Sequence, residues 1–297
     1  RRDFLSSERV ELPNWLPSPL FFVSSPESPM SRVLHGIHLS DTHIGPSDDF
    51  EVRGACPRKR LDRMVNAILD LDFEPDFIMH TGDVVNDPDP DAYAVAKDAL
   101  APLIERFPFY AGPGNHDDSD MMKDALPMSG KTPLVTDAGR LAYRFDLPGF
   151  RGFVLDANVP APEEPHGELP ENQLVALEGE LHNGDDTPFA VFVHYEPFEI
   201  HSAWIDEYLP IRNGEALHEL LRNQPPGRVR GVFFGHLHRS VQLYRDGILY
   251  SGISSPVCEF TAGVHDEKIG WNADCPVVFH HLSFSSTGTV IKACTAS

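Results

Sequence analysis

Short apolar runs alternate with longer amphipathic segments through most of the chain, a pattern typical of repeated β-α units. Five runs have the character of buried strands: Val33 to Leu39, Phe77 to Met79, Phe107 to Tyr110, Phe189 to Val193 and Val229 to Phe234. Four segments have helical character: Lys59 to Leu71, Ala92 to Arg106, Asn172 to Leu181 and Gly214 to Arg222. The alternation predicts an α/β fold.

The last part of the chain has a different pattern. Three further strands are predicted at Val241 to Tyr244, Gly247 to Ser251 and Val277 to Phe284, with Asp246-Gly247 as a hairpin turn. The stretch from Asp156 to Pro170 is rich in Pro, Glu and Gly, so we expect a long surface loop there. No internal repeat interrupts this organisation.

Acidic, amide and imidazole side chains follow each of the first five predicted strands. The segments are Asp41-Thr42-His43, Gly82-Asp83, Gly114-Asn115-His116-Asp117, His194 and Gly235-His236-Leu237-His238. Functional sites in open α/β sheets are built in the loops that follow the strands. We therefore expect these side chains to form one site.

The residue types in these segments suit divalent metals. Imidazole binds ions such as Zn, Fe and Ni, whereas carboxylate and carboxamide oxygens suit harder ions such as Mn. No cysteine occurs among them, unlike in a closed, thiolate-rich structural zinc site. Pairs of such metals commonly promote in-line displacement at phosphorus.

The order D-x-H, G-D, G-N-H-D, H and G-H-x-H resembles that of the calcineurin-like metallophosphoesterase superfamily, from about Val33 to His238. The resemblance implies a four-layer α/β/β/α sandwich with two central mixed sheets and a dinuclear metal site at the sheet edge. It also implies two divalent metal ions, with Mn, Fe, Zn and Co as the candidates.

The resemblance further implies a role for each residue. One metal would be bound by Asp41, His43, Asp83 and His238, and the other by Asp83, Asn115, His194 and His236. Asp83 would be the bridge, and hydroxide held between the metals would be the nucleophile. His116 would contact the leaving-group oxygen, with Asp117 as its orienting partner. His80 matches no family motif. Because it lies just before Asp83 in the sequence, it is a candidate for contacting the metal ligands without binding a metal itself.

Departures from related patterns narrow the function. The phosphate-binding arginines of protein Ser/Thr phosphatases are absent, and Asn86 replaces the tyrosine ligand of purple acid phosphatases. The stretch from Val193 to Phe198 resembles the H-H-P-P block of class III cyclic-nucleotide phosphodiesterases and bacterial glycerophosphodiesterases, with Tyr195 and Glu196 as departures. We interpret the chain as a phosphodiesterase for small diesters. The alternatives are a phosphomonoesterase or pyrophosphatase, and a catalytically silent metal-binding regulator.

Composition limits the partners. The net charge is −21, and the one basic triplet, Arg58-Lys59-Arg60, is expected to be solvated. This argues against nucleic-acid polymers and anionic membranes as partners, because both require a basic face. No stretch has the length and apolarity of a membrane span. The sequence is compatible with a homo-oligomer.

The chain ends and cysteines complete the sequence picture. Residues 1–29 are expected to be an extension or arm that precedes a metallophosphoesterase domain over residues 30–297. Arg1-Arg2 resembles a twin-arginine export motif but lacks its apolar region, so a cytoplasmic location is favoured over export. The four cysteines show no C-x-x-C spacing and are expected to be reduced, with one disulfide as the alternative if the protein is exported.

Overall fold

The computed structural model describes residues 30–296 except 31, 161–164 and 184. The expected arm, residues 1–29, lies outside the described residues. The helices are α1 (Pro57–Leu69), α2 (Pro90–Arg106), α3 (Ser119–Ala125), α4 (Glu171–Asn183), α5 (Ala203–Tyr208) and α6 (Gly214–Arg222). The strands are β1 (Leu34–Leu39), β2 (Phe77–His80), β3 (Phe109–Ala111), β4 (Thr132–Pro133), β5 (Tyr143–Leu147), β6 (Phe150–Val154), β7 (Phe189–Phe192), β8 (Val229–Phe234), β9 (Val241–Arg245), β10 (Ile248–Gly252), β11 (Glu259–Phe260), β12 (Trp271–Asn272), β13 (Val277–Ser285) and β14 (Gly288–Ala296).

Two large mixed sheets form the centre of the molecule. The first has five strands in the order β14-β13-β1-β2-β3, and β1, β2 and β3 are parallel. The second has seven strands in the order β4-β5-β6-β7-β8-β10-β9, and β6, β7, β8 and β10 are parallel. Parallel neighbours end at the same edge of a sheet, so the loops after β1, β2 and β3 are neighbours, as are those after β7 and β8.

The sheets pack face to face through aromatic side chains. Phe77 of the first sheet contacts Phe145 and Phe192 of the second, with ring centroids 5.6 and 6.1 Å apart. Helices α1 and α2 pack together, and α1 contacts β13 and β14 of the first sheet. A second apolar cluster, including Leu177 of α4 and Leu217 of α6, covers the other face of the second sheet. The predicted four-layer α/β/β/α sandwich is confirmed.

The four predicted helices are confirmed to within two residues at each end. The prediction did not include α3, α5, the hairpin β5–β6 or strand β14, where charged residues interrupt short apolar runs. The prediction of a surface loop from Asp156 to Pro170 was wrong for its ends, because Asp156 and Leu169 are buried. The Asp156 carboxylate accepts hydrogen bonds from Ser119 Oγ and Leu141 N–H, which fixes the start of the loop.

The expectation that Arg58 to Arg60 is a solvated triplet was wrong for Arg60. Its guanidinium donates to the carbonyl oxygens of Pro256 and Cys275, at 3.0 and 2.9 Å, and to that of Ala273. A guanidinium has five N–H donors in a planar fork, so one side chain can hold several backbone segments. Arg60 therefore fixes the segment between β10 and β13 onto helix α1.

One glycine is required by the packing between the sheets. A methyl group at Gly36 of β1 would overlap the ring of Phe77 on β2, which is fully buried. The Phe77 ring lies among other aromatic rings and has no free direction in which to move. We expect Gly36→Ala to destabilise the fold by about 1–3 kcal/mol through overpacking.

Denaturant unfolding of Gly36→Ala would measure this loss. Gly130→Ala is the matched control, because a methyl group there meets no atom within 4 Å. Equal stability of the two variants would contradict the packing argument.

Candidate metal centre

The polar segments identified in the sequence lie where strands of the two sheets end. Asp41 follows β1, Asp83 follows β2 and Asn115 follows β3, all in the first sheet. His194 follows β7, and His236 and His238 follow β8, in the second sheet. The structure brings all of these side chains to one edge of the sandwich, where both sheets contribute.

Two groups of buried donor atoms form there. The first consists of Asp41, His43, Asp83 and His238, and the second of Asp83, His194 and His236. Within each group the ligand atoms lie within 4.8 Å of one another. Asn115 lines the same cavity as Asp83, His236 and His238.

In each set, two imidazole nitrogens lie unusually close to one another. Nε2 of His43 is 3.0 Å from Nε2 of His238, and Nε2 of His194 is 3.1 Å from Nδ1 of His236. Such separations are those of ligands that each lie about 2.0–2.2 Å from a shared ion.

Asp83 joins the two sets through a single oxygen. Its Oδ2 lies 3.6 Å from Nε2 of His43, in the first set, and 3.3 Å from Nε2 of His194, in the second. Its other oxygen, Oδ1, accepts the backbone N–H of His116 at 2.9 Å. Both carboxylate oxygens are thus used, and the one directed at both sets has the position of a bridge.

Backbone carbonyls set the tautomers of two imidazoles. Nδ1 of His194 donates to the carbonyl of Thr81, and Nδ1 of His238 donates to that of Cys258. A carbonyl can only accept, so Nδ1 carries the proton in both rings. Nε2 then faces the carboxylates, at 3.3 Å from Asp83 in one case and from Asp41 in the other. Such outer contacts are what orient histidine ligands in metal sites.

Left-handed backbone directs the donors inward. Five residues of the two sets have positive φ, with values from 45° to 63°: Asp41, His43, Asp83, His236 and His238. This conformation is costly for residues other than glycine and persists only where surrounding bonds enforce it. Backbone hydrogen bonds do so here, from Asp41 N–H to Gly82 and from His43 N–H to Asp83.

The donor atoms themselves fit a metal. Asn115 Oδ1 is buried and has no hydrogen-bond partner among the described residues. Buried polar atoms are rarely left so, because each costs about 1–3 kcal/mol unless something satisfies it. The set contains nitrogen and oxygen donors only, which suits borderline and hard divalent ions.

At two histidines of the site, neighbouring carboxylates oppose the usual effect of burial on the pKa. Burial alone would lower the pKa of His194. The nearby Asp83 carboxylate stabilises the protonated imidazole instead and raises that pKa to about 9. His238 behaves likewise beside Asp41, and its pKa is also raised to about 9. Burial lowers the pKa of His236 to about 3, so this ring stays neutral. A metal ion bound by His194 and His238 would compete with protons for these rings, so its uptake would release protons.

His116 lies beside the two sets rather than within them. It lines the cavity, and its Nδ1 donates to the carbonyl of Asn86 at 2.6 Å. The expected contact of Asp117 with this imidazole is not among the hydrogen bonds of the described residues. The orienting contact comes instead from the Asn86 main chain, which a sequence motif cannot reveal.

Asp117 ties two loops together. Its buried carboxylate accepts the N–H groups of Gly114, Val84 and Val85 and the hydroxyl of Tyr93, at 3.0 to 3.3 Å. The three N–H donors come from the loops that carry Asp83 and Asn115, and the hydroxyl comes from helix α2. Asp117 thereby fixes the distance between the two loops, and its influence on His116 is exerted through the backbone.

His80 has the supporting position that its place before Asp83 suggested. Its Nδ1 accepts the N–H of Gly82 at 3.2 Å, and its Nε2 donates to Thr42 Oγ1 at 3.0 Å. Thr42 lies between Asp41 and His43, and its hydroxyl in turn donates to the carbonyl of Val84. A neutral imidazole thus connects the loops after β1 and β2 behind the donors.

Comparison with known proteins agrees with this geometry. The chain is 26% identical over 224 residues to the 3′,5′-cyclic adenosine monophosphate phosphodiesterase CpdA of Vibrio vulnificus, covering 75% of this chain and 77% of the relative. It is 31% identical over 203 residues to the glycerophosphodiester phosphodiesterase GpdQ of Enterobacter lignolyticus, covering 68% and 69%.

Solved structures share the fold. A purple acid phosphatase from yellow lupin (Lupinus luteus) seeds superposes with a TM-score of 0.65 at 13% identity, covering 92% of this chain and 53% of that one. The family model of the calcineurin-like phosphoesterases matches residues 36–240, which include every candidate ligand. This chain therefore belongs to the calcineurin-like phosphoesterase family.

Proposed function

We propose that the protein is a dinuclear metal-dependent phosphodiesterase that hydrolyses small phosphodiesters of the cyclic nucleotide or glycerophosphodiester type. The observation that carries the proposal is the pair of buried donor sets that share Asp83 Oδ2. Asp41, His43, Asp83 and His238 would hold one ion, and Asp83, Asn115, His194 and His236 the other.

The donor set supports Mn, Fe, Zn or Co as the resident ions, because it combines imidazole with carboxylate and amide oxygen. When bound, such ions neutralise charge on the phosphate oxygens and acidify water. The remaining steps fall to the chain itself. Loops fixed by Asp117 and His80 hold the donors in place before substrate arrives, and preorganisation of this kind is the main source of such catalysis.

His116 is the residue that donates a proton to the departing oxygen. Its Nδ1 proton is engaged by the Asn86 carbonyl, so Nε2 is the nitrogen free to exchange a proton in the cavity. As imidazolium it gives that proton to the leaving alkoxide, and as imidazole it is ready to be protonated again from solvent. The exchange costs no rotation of the ring, because the Asn86 contact holds in both forms.

Small diesters are the substrates that this chain favours over polymers. The named relatives CpdA and GpdQ are phosphodiesterases for cyclic AMP and glycerophosphodiesters. A chain with a net charge of −21 repels a long polyanion, whereas a small diester needs only the local charge of the metal centre.

Elemental analysis followed by a rate comparison tests the proposal. We expect two metals per chain after loading with Mn, and faster turnover of bis(p-nitrophenyl) phosphate than of p-nitrophenyl phosphate. Faster turnover of the monoester would identify a phosphomonoesterase. Two bound metals with no turnover of either ester would identify a metal-binding regulator. Either result overturns the proposal.

A further inference from the structure

The cavity beside the candidate metal centre has two chemically different sides. Its floor is polar and carries Asp83, Asn115, His116, His236 and His238. Its side wall is apolar and carries Trp204, Leu209, Phe260, Ile269 and Trp271. The reaction of a phosphodiester at the floor needs no aromatic wall, so the wall is free to recognise the group esterified to the phosphate.

The size of the cavity decides which part of a substrate it encloses. Its volume is about 150 Å³, below the roughly 300–1,000 Å³ typical of pockets that enclose a whole ligand. The reacting phosphate and the atoms next to it fill such a space. The rest of the ester group must then lie at the mouth, where the indole of Trp271 is 54% exposed.

Strand pairing and ring stacking fix the aromatic side chains of this wall. Phe260 and Trp271 are paired across the short antiparallel ladder of β11 and β12, in the segment that Arg60 fixes to α1. The ring of Phe260 stacks on the imidazole of His238, with centroids 4.2 Å apart and planes 11° from parallel. Phe260 thus fixes the position of Trp271 relative to a candidate ligand.

Arg53 adds a positively charged group to this wall. Its guanidinium lies 5.5 Å from the ring centroid of Phe260 and 5.8 Å from that of Trp271. Among the described residues it forms no ion pair with a carboxylate, and its one side-chain hydrogen bond is a long contact to Cys258 Sγ at 3.9 Å. Although the chain has 45 acidic residues, no carboxylate of the described residues is paired with this arginine.

The backbone holds Arg53 in this position against its own preference. Arg53 has a φ of 52° and Gly54 a φ of 85°. The turn is closed by paired hydrogen bonds between Val52 and Ala55 at 2.9 and 3.0 Å. A left-handed arginine costs of the order of 1 kcal/mol, and such strain is concentrated at functional sites.

We propose that Arg53, Phe260 and Trp271 form a subsite for a flat, π-bonded ring, so that the protein prefers phosphodiesters of a nucleoside to those of glycerol. Aromatic faces and guanidinium planes are the surfaces on which bases stack. The guanidinium of Arg53 can donate to ring-nitrogen acceptors of a base, and glycerol has no π face to stack against the aromatic side chains. The inference rests on the proposed function, and it selects between the two diester classes given there.

Substrate ratios test the subsite. We expect Trp271→Ala and Arg53→Asn to lower kcat/KM for 3′,5′-cyclic AMP by about 5–150-fold, the range for loss of one stacking contact. The kcat/KM for glycerophosphoethanolamine should stay within about twofold, because both substrates use the same metal centre. Asparagine suits position 53 because it tolerates left-handed backbone. Trp271→Phe should restore most of the preference.

Two substitutions elsewhere serve as controls. Tyr244→Ala removes an aromatic ring that is 73% exposed and lies outside the cavity, and Arg222→Ala removes an arginine that is paired with Glu219. Neither should change the ratio of the two kcat/KM values. Equal losses on both diesters would place Arg53 or Trp271 on the shared phosphate, and no loss on either would show the wall to be inert; both results overturn the subsite.

Binding of products separates this inference from the proposed function. Calorimetry on the metal-loaded protein would compare adenosine monophosphate with glycerol 3-phosphate, and no turnover is needed. We expect tighter binding of the nucleotide, with the difference lost in Trp271→Ala. Equal affinities in the wild-type protein would refute the subsite even if both diesters are hydrolysed. A clear difference would support it even if neither is.

Discussion

Asp83→Asn is expected to lose at least one of the two metals and more than about 100-fold of the kcat/KM for bis(p-nitrophenyl) phosphate. Replacing only a hydrogen-bond partner of a ligand typically costs 10–100-fold in metal affinity or activity, so loss of a shared ligand should cost more. An asparagine has a single oxygen. Its NH₂ group must therefore face either the two donor sets or the backbone N–H of His116, which Asp83 Oδ1 accepts at 2.9 Å.

Elemental analysis and steady-state kinetics on the same preparation would measure both effects. Asp124→Asn is the matched control, since it makes the same chemical change at an exposed position in α3. Circular dichroism would establish that both variants are folded. If Asp83→Asn kept two metals and near-normal turnover, Asp83 could not be the bridge.

His116→Ala is expected to retain both metals and to lose activity in proportion to the basicity of the leaving group. General acid catalysis typically contributes about 10²–10⁴-fold, so a diester with an alkoxide leaving group should show a loss in that range. A nitrophenolate departs with little help from a proton, so the loss on bis(p-nitrophenyl) phosphate should be much smaller. The dependence of the loss on leaving-group pKa is the measurement.

His182→Ala provides the comparison for this variant, because His182 is an exposed histidine near the end of α4. It should leave both substrates unaffected. The same loss on alkyl and nitrophenyl esters, or the loss of a metal, would show that His116 acts by binding rather than by proton transfer.

The fold and the donor residues were accessible from sequence for a physical reason. Buried strands such as β1 and β8 are short apolar runs, and chemistry at a sheet edge must be encoded by the residues that directly follow them. The helix Gly214–Arg222 was located at its observed bounds, because its apolar face repeats with the helical period. Most of the architecture could therefore be predicted from the local pattern of apolar and polar residues.

The features that were missed depend on contacts between distant segments. Strands β11 and β12 have two residues each, which is too few for any periodicity. Only their pairing places Phe260 and Trp271 beside the candidate metal centre. The contact that orients His116 is a backbone carbonyl, and the carbonyls bound by Arg60 are likewise independent of residue type. No motif records such partners.

The left-handed backbone at the donor residues has a consequence for the evolution of this chain. Conformational strain of about 1–3 kcal/mol at such a residue is a stability deficit that the rest of the sandwich must offset. Replacing Asp41 or His43 with glycine would relieve the backbone strain, but it would also remove a candidate metal ligand. The most stable sequence for this backbone is therefore not a functional one. A large aromatic core between the sheets provides the stability margin within which such positions can be retained.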